Sequence, residues 1–442
     1  MDFGRRGAQS RPRIWARRDS GRSAAESLDG DRRWPYRVLP GKRKIKMLAP
    51  EHPVALYDGI LSLGIGQLKQ WRSVRLRRTD ESGDRRSPLT ESIMRQSQTG
   101  FLVAVLVSAI AVSAQQEAGG GSPADMIYAQ AGQLVDVGGF WLNLYCMGSG
   151  SPAVVFDSGW EDWAPAWSTV QPKIARWTRA CSFDRAGAGF SDSGPMPRTS
   201  VRIARELHTA LHRAHIAGPY ILVGNAFGGD NMRTFADLYM REVSGLVMDD
   251  ADTDDVGPNA MQEEQHLKEV AILSRLRDCR SAIAEHKPLP ALPPRPGQPQ
   301  RTCAQQFFRG LPEAAWSPEL NAKLLEIAQT KVDLYDAYLS EMEQMPADET
   351  WLQQHRRSFG SRPIRVLTSG NHGVGHLESK PPDTPKHLEY EQQTTLAQAR
   401  WLALSSNSKQ IFARNSSEYI QFDDSETVIN ALREVYDQTK KP

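Results

Sequence analysis

From residue 133 onward, short apolar runs recur at intervals that leave room for a helix between them. The runs are Gln133-Leu134-Val135-Asp136-Val137, Trp141-Leu142-Asn143-Leu144-Tyr145-Cys146, Ala153-Val154-Val155-Phe156-Asp157-Ser158-Gly159, Thr178-Arg179-Ala180-Cys181-Ser182-Phe183-Asp184-Arg185, Tyr220-Ile221-Leu222-Val223, Gly245-Leu246-Val247-Met248-Asp249-Asp250, Ile364-Arg365-Val366-Leu367-Thr368 and Lys409-Gln410-Ile411-Phe412-Ala413. Their length and their Gly and Asp borders predict strands. The first two form a hairpin across Gly138-Gly139. Helical periodicity falls at residues 164–177, 201–215, 231–240, 393–404 and 425–439. Strands that alternate with helices predict a mostly parallel sheet covered on both faces.

One interval breaks this rhythm. Residues 256–359 contain no convincing strand, but residues 263–277 and 319–345 are helical in pattern, with a Pro-rich connection at 287–300. This predicts a helical cap inserted between the sixth and seventh strands, at the carboxyl edge of the sheet, where α/β sites form. Residues 132–255 and 360–442 are then the two parts of the core.

The amino end reads differently. Residues 1–93 are rich in Arg, Gly, Trp and Ser without periodicity, and Lys42-Arg43-Lys44-Ile45-Lys46 is read as part of a solvated tail. A basic stretch from Met94, the apolar run 101–112 and Ser113-Ala114-Gln115 have the layout of a signal peptide. Residues 94–114 are therefore read as a cleaved leader, translation as starting at Met94, and 115–131, with Gly119-Gly120-Gly121, as a linker. Export is the expected localisation, with anchoring through 101–112 as the alternative if the long form is made.

Composition adds three constraints. The 442-residue chain is 40% hydrophobic and 24% charged, enough for a large core. A net charge of +2 gives no case for a nucleic-acid partner. The four cysteines, Cys146, Cys181, Cys279 and Cys303, permit disulfides in an exported chain, with free buried thiols as the alternative; no spacing among them resembles a zinc site. No metal or cofactor is expected. The run Asp249-Asp250-Ala251-Asp252-Thr253-Asp254-Asp255 has calcium-loop alternation but lacks the Gly and the Glu such a loop needs, and is read as a solvated turn. His372 and His376 are read as loop residues between glycines.

The strand Tyr220-Ile221-Leu222-Val223 runs into Gly224-Asn225-Ala226-Phe227-Gly228-Gly229 and then a helix. Strand, Gly-flanked turn and helix form the setting of a nucleophile elbow. Phe156-Asp157-Ser158-Gly159-Trp160, Phe183-Asp184-Arg185-Ala186-Gly187-Ala188-Gly189-Phe190-Ser191 and the stretch 415–423 stand in the matching order. Together these motifs resemble the α/β-hydrolase superfamily, in particular its bacterial exported esterase-like and aminopeptidase-like branch. The resemblance covers about residues 132–436. It implies an eight-stranded sheet in which the second and fourth strands are neighbours, so that a Cys146–Cys181 disulfide is plausible. Cys279 and Cys303, both in the cap, are the other candidate pair.

The resemblance also implies chemistry, residue by residue. Similar enzymes read G-H-S-x-G-G at the elbow; here Ala226 replaces the nucleophile. The loop that delivers the catalytic histidine reads Ser416-Ser417-Glu418-Tyr419, so Glu418 stands where the base belongs. Asp250 matches the acid. The oxyanion donors fall at the amides of Phe227 and Trp160, and a binding pocket is expected beside Trp160, Trp163 and Trp167. The expectation is an ester- or amide-hydrolase relative that has lost catalysis and keeps a small-molecule site. Two alternatives stand beside it: an active hydrolase with another nucleophile, and a non-covalent acid/base enzyme that pairs Asp250 with Glu418.

Overall fold

The computed structural model describes residues 125–253, 261–294, 299–307, 316–372 and 383–440. The leader, residues 94–114, and the tail before it lie outside the described residues. All eight predicted strands are present: β1 Gln133–Asp136, β2 Trp141–Met147, β3 Ala153–Asp157, β4 Ala180–Asp184, β5 Tyr220–Asn225, β6 Val243–Asp249, β7 Ile364–Asn371 and β8 Ser408–Ser417. They form one sheet in the order β1-β2-β4-β3-β5-β6-β7-β8. β1 and β2 run antiparallel, as do β2 and β4, and every other pairing is parallel.

Burial explains the patterning. β3, β4 and β5 are buried at every position, as strands covered on both faces must be. β1 and β8, at the edges, keep several exposed positions. The hairpin turns at Gly138 and Gly139, both at positive φ, while Asp136 Oδ1 accepts both of their amides at 2.9 and 2.8 Å.

The longer helices are α1 Ser200–Arg213, α2 Phe227–Leu238, α3 Gln262–Ala284, α4 Pro318–Thr330, α5 Val332–Gln354, α6 Pro385–Ala399 and α7 Ser425–Thr439. On one face of the sheet Leu207, Leu211 and Phe235 pack against Leu222 and Met248. On the other, Trp167, Leu432 and Val435 pack against Val154 and Val223.

Four local expectations are corrected. The helix predicted over 164–177 is a 3-10 turn, Ala164–Trp167, followed by a single α turn, Gln171–Ile174; Pro165 and Pro172 interrupt the ladder. The helix predicted over 319–345 is two helices, broken at Lys331, whose ammonium turns aside to cap the carbonyls of Gly189 and Ser191. α5 then continues through Pro346 to Gln354, past the predicted end. The part of the predicted linker that is described is ordered: Met126–Ala129 form a 3-10 turn, and Tyr128 is buried against the Tyr145 ring with its hydroxyl donating to Gln171 Oε1 at 2.6 Å. An aromatic with a buried hydroxyl partner anchors a segment whose flanking glycines suggest freedom.

The cap is helical and lies between β6 and β7, as expected. Leu276, Phe307, Leu320, Tyr335 and Tyr338 form its core. Ser317 caps α4 by accepting from Leu320 N, while its own amide donates to Asp125, tying the 125–129 turn to the cap. Both candidate disulfides form. Cys146 and Cys181 are directly opposed on β2 and β4, and Cys279 at the end of α3 bonds Cys303 across the Pro-rich connection.

Candidate functional site

Four chain segments leave the carboxyl edge of the sheet side by side: Ala226 after β5, Asp250 after β6, His372 after β7 and Glu418 after β8. Ala226 holds φ 45° and ψ −123°, a region that costs a non-glycine residue about 1–3 kcal/mol. The turn is tight because strand and helix nearly touch. A Cβ on Gly224 would lie 2.4 Å from Gly228 O, and one on Gly228 would lie 2.5 Å from Asp157 O. The Ala226 amide donates to Asp249 O at 3.2 Å. Asn225 Nδ2 donates to Asp249 O at 3.0 Å and to Glu418 O at 3.1 Å, lacing the elbow to β6 and to the loop after β8. Ala226, Trp160, Asn371 and Glu418 are each partly exposed, so solvent reaches this edge.

The oxyanion loop lies against the elbow: a Cβ on Gly159 would be 3.6 Å from Ala226 Cβ. Arg185 fixes this loop. Its Nη1 donates to Asp157 Oδ1 and Ser158 O at 2.9 and 2.8 Å, and its Nη2 to Gly159 O at 3.0 Å. Its Nε and Nη2 also reach both carboxylate oxygens of Glu341 on α5, at 2.9 and 3.1 Å. In a trans peptide the N–H points opposite to the C=O. With Gly159 O held by Arg185, the Trp160 amide is turned to the other side. The amides of Trp160 and Phe227 have no acceptor among the described residues. Trp160 is itself fixed to the cap by Nε1 donating to Tyr338 O at 2.9 Å.

The charges in this clamp respond in opposite directions. Burial disfavours the guanidinium, but Glu341 and Asp157 outweigh it and hold its pKa above the usual value. Burial raises both carboxyls, and one shared cation does not fully offset it. The geometry decides between these signs: all five guanidinium donor sites are used, so the group is read as an ionised triad.

Asp250 sits at φ 43°, which swings its carboxylate toward β7. It accepts from Ser369 N at 3.0 Å, Ser369 Oγ at 2.9 Å and Gln398 Nε2 at 3.0 Å, and lies 3.1 Å from His372 Nδ1. Burial alone would raise this carboxyl; His372, Gln398 and the Ser369 amide outweigh it and hold the group below the usual carboxylate range. Burial would likewise lower His372, but Asp250, Glu391 and Glu418 outweigh it and raise its pKa. The other ring nitrogen, Nε2, faces Thr395 Oγ1 at 3.4 Å.

A sequence model of the alpha/beta hydrolase fold matches residues 152–292. An uncharacterized protein of Schizosaccharomyces pombe is 42% identical over 83 residues, 19% of this chain and 15% of that one. The protein YbdG of Bacillus subtilis is 30% identical over 118 residues, 26% of this chain and 36% of that one. The 2-hydroxy-6-oxo-2,4-heptadienoate hydrolase of Pseudomonas putida is 30% identical over 135 residues, 28% of this chain and 45% of that one. The matches thus span less than half the length of these relatives. Among solved structures, wild-type DBJA aligns with 70% of this chain and 100% of its own at a TM-score of 0.50 and 14% identity. A thermophilic esterase from Thermogutta terrifontis aligns over 70% and 100% at 0.47 and 18%.

The chain has the alpha/beta hydrolase fold.

The structure brings several of the predicted site residues together. Ala226, Phe227, Trp160, Asp250 and Glu418 gather at one edge. Trp163 and Trp167 do not line a cleft: both are buried, Trp163 against Phe307 of the cap and Trp167 against Phe156 in the core. The acidic run is not a solvated turn at its start, since Asp249 and Asp250 are both buried. Both Asp249 carboxyl oxygens lack a partner among the described residues, and burial, with Asp250 beside it, drives its pKa well above the carboxylate range. The proposed Asp250–Glu418 proton couple is also corrected, because Asp250 is a saturated, stabilised anion rather than a proton reservoir.

His372 is the residue that sequence reasoning passed over. It is buried and paired with the acid instead of lying in an open loop; His376 lies outside the described residues. Its signal was its place directly after β7, at the carboxyl edge of the sheet. Among the described residues no nucleophile completes a triad with Asp250 and His372. The Ser369 hydroxyl shares the same ring nitrogen as Asp250, at 3.2 Å, and donates to Asp250. Thr395 lies within α6, where the amides are consumed by the helix and cannot form an oxyanion hole. Ser158 Oγ donates to Trp163 O, and Cys181 is in a disulfide.

Proposed function

We propose that this protein is a catalytically impaired relative of ester and amide hydrolases that binds a small carbonyl- or carboxylate-bearing molecule at the elbow. The observation that carries the reading is Ala226: the strained elbow backbone is retained, with two amides free to donate beside it, but the side chain has no nucleophile. Losing a triad nucleophile removes several orders of magnitude in rate. The same donors still suit a bound oxyanion or carbonyl oxygen.

The protein is further proposed to be exported. Two disulfides support this, because such bonds persist in oxidising compartments. No helix of the described residues is long and apolar enough to cross a membrane.

The test is hydrolysis of short aryl esters with fluorophosphonate labelling, run on the unaltered protein and on Ala226→Ser combined with Glu418→His. The expected result is no turnover by the unaltered protein and labelling of the double variant. Turnover by the unaltered protein above a denatured control overturns the reading. If that turnover is lost in His372→Ala and is indifferent to fluorophosphonate, a water activated by the Asp250–His372 pair replaces it.

A further inference from the structure

The opposite edge of the sheet carries a second cluster, unrelated to the elbow. His208 and His212 stand one turn apart on α1, and Glu242 closes the 3-10 turn Met240–Glu242 that leads into β6. His208 Nε2 lies 2.9 Å from Glu242 Oε1, and His212 Nε2 lies 2.9 Å from Glu242 Oε2. The two imidazole rings are 4.2 Å apart, centroid to centroid. His208 is held in plane by stacking on Tyr239 at 3.6 Å with 4° between the rings. The three ligand atoms all fall within 4.8 Å of one another. Beside them is an open depression of about 680 Å³, lined in part by His212, His215, Arg241 and Glu242.

We propose that His208, His212 and Glu242 bind a divalent transition cation of the Zn2+ type. Two neutral imidazoles and one carboxylate are a known donor set for zinc, and they leave a fourth position for water or a ligand. His212 and Glu242 also line the depression, which gives such a ligand a route in. The i, i+4 spacing presents both imidazoles on one side of the helix, and the Tyr239 stack orients His208 before any ion arrives. A tetrahedral ion with bonds of about 2.0–2.1 Å spaces its ligands about 3.3 Å apart. The two His–Glu contacts open by about 0.4 Å to reach this spacing, and the remaining ligand pairs, within 4.8 Å, close toward it. The ion would pin α1 to the start of β6. The six-residue β5 separates this edge from the elbow by roughly 20 Å, so the site serves the scaffold or a second ligand rather than chemistry at Ala226.

The experiment is a Zn2+ titration of the chelator-stripped full-length chain against a chromophoric competitor. The expected result is one ion per chain with a Kd of about 1 µM or tighter. His208→Ala and Glu242→Gln should each weaken binding about tenfold or more. His286→Ala, at another exposed histidine, should leave it unchanged. Co2+ in place of Zn2+ should give the visible band of a four-coordinate ion, lost in His212→Ala. His212 is half exposed, so this variant keeps the fold, and circular dichroism checks that it does. Binding no tighter than in the His208→Ala/His212→Ala double variant, or binding indifferent to Glu242→Gln, overturns the proposal: the three side chains are then only a hydrogen-bonded group.

Discussion

Arg185→Ala is the sharpest test of how the cap is held over the elbow. The guanidinium is buried together with both of its carboxylate partners, Asp157 and Glu341. Removing it leaves two buried anions without a cation and the carbonyls of Ser158 and Gly159 without a donor. Breaking a buried ion pair by deleting one partner costs about 3–5 kcal/mol, and each orphaned carbonyl adds about 1–3. These terms share one network and do not sum, so the expected loss is about 5 kcal/mol. Against a typical stability of about 5–15 kcal/mol, that is a large share. With a urea m-value near about 3 kcal/mol/M, the midpoint falls by about 1–2 M. The assay is urea unfolding with disulfides intact, paired with amide exchange along α5, which should lose protection around Glu341, its charged tether to the core beside the Tyr338, Ser340 and Asp348 hydrogen bonds. Lys173→Ala is the control. Its pair with Glu426 is exposed, and its loss should cost about 1 kcal/mol or less. A midpoint shift for Arg185→Ala no larger than for Lys173→Ala, with α5 still protected, refutes the clamp.

The Asp250–His372 pair gives a pH signature. His372 has a folded pKa above its unfolded value of about 6.5, so its contribution is complete below that pH and lost as pH rises through the folded value. Asp250 is held below about 3.9, so its share is present above that pH and lost as pH falls through its lowered value. Urea midpoints against pH should show His372→Ala removing part of the decline on the alkaline side. Asp249 behaves oppositely to Asp250: its folded pKa is raised, so its ionisation destabilises the fold as pH rises toward neutral. Asp249→Asn should stabilise the protein at neutral pH and flatten that slope; a less stable variant contradicts an unpartnered buried acid. Gly228→Ala should fail to fold, since its Cβ would lie 2.5 Å from Asp157 O, and soluble, cooperative unfolding would show the elbow to be looser than described. Reducing Cys146–Cys181, which closes 35 residues, should cost about 4 kcal/mol, read as a lower melting temperature for Cys146→Ala combined with Cys181→Ala.

The sheet was legible in the sequence because its signals are local. β3, β5 and β6 are apolar at nearly every position, and the glycines at 224 and 228 sit where strand and helix backbones touch. The cap announced itself as the interval without strands. Its internal breaks were less legible, and for a physical reason. Lys331 ends one helix by reaching the carbonyls of a loop about 140 residues away, whereas Pro346, a strong local breaker, is carried inside a helix that tertiary packing holds together. The tryptophans misled for a similar reason. A Trp after an oxyanion loop suits a cleft or a core equally well, and only the approach of Phe307 and Phe156 places Trp163 and Trp167 in packing roles.

His372 and Asp249 mark the deeper limit. In the sequence Asp249 and Asp250 are equivalent neighbours. In the structure they are chemical opposites, because a strand sends successive side chains to opposite faces and because Asp250 adopts φ 43°. One carboxylate thereby meets a backbone amide, a hydroxyl, an amide side chain and an imidazole; the other meets no partner among the described residues. Strand alternation and the Asp250 torsion together decide which acid is held as an anion and which is driven toward its neutral form. The elbow therefore carries no nucleophilic side chain at Ala226 within an ordered electrostatic frame. The strain at Ala226, the Arg185 clamp and the Asp250–His372 pair persist together. Ala226→Ser alone would place a hydroxyl on this scaffold with a carboxylate, Glu418, in the loop after β8, and so the proposed test pairs it with Glu418→His.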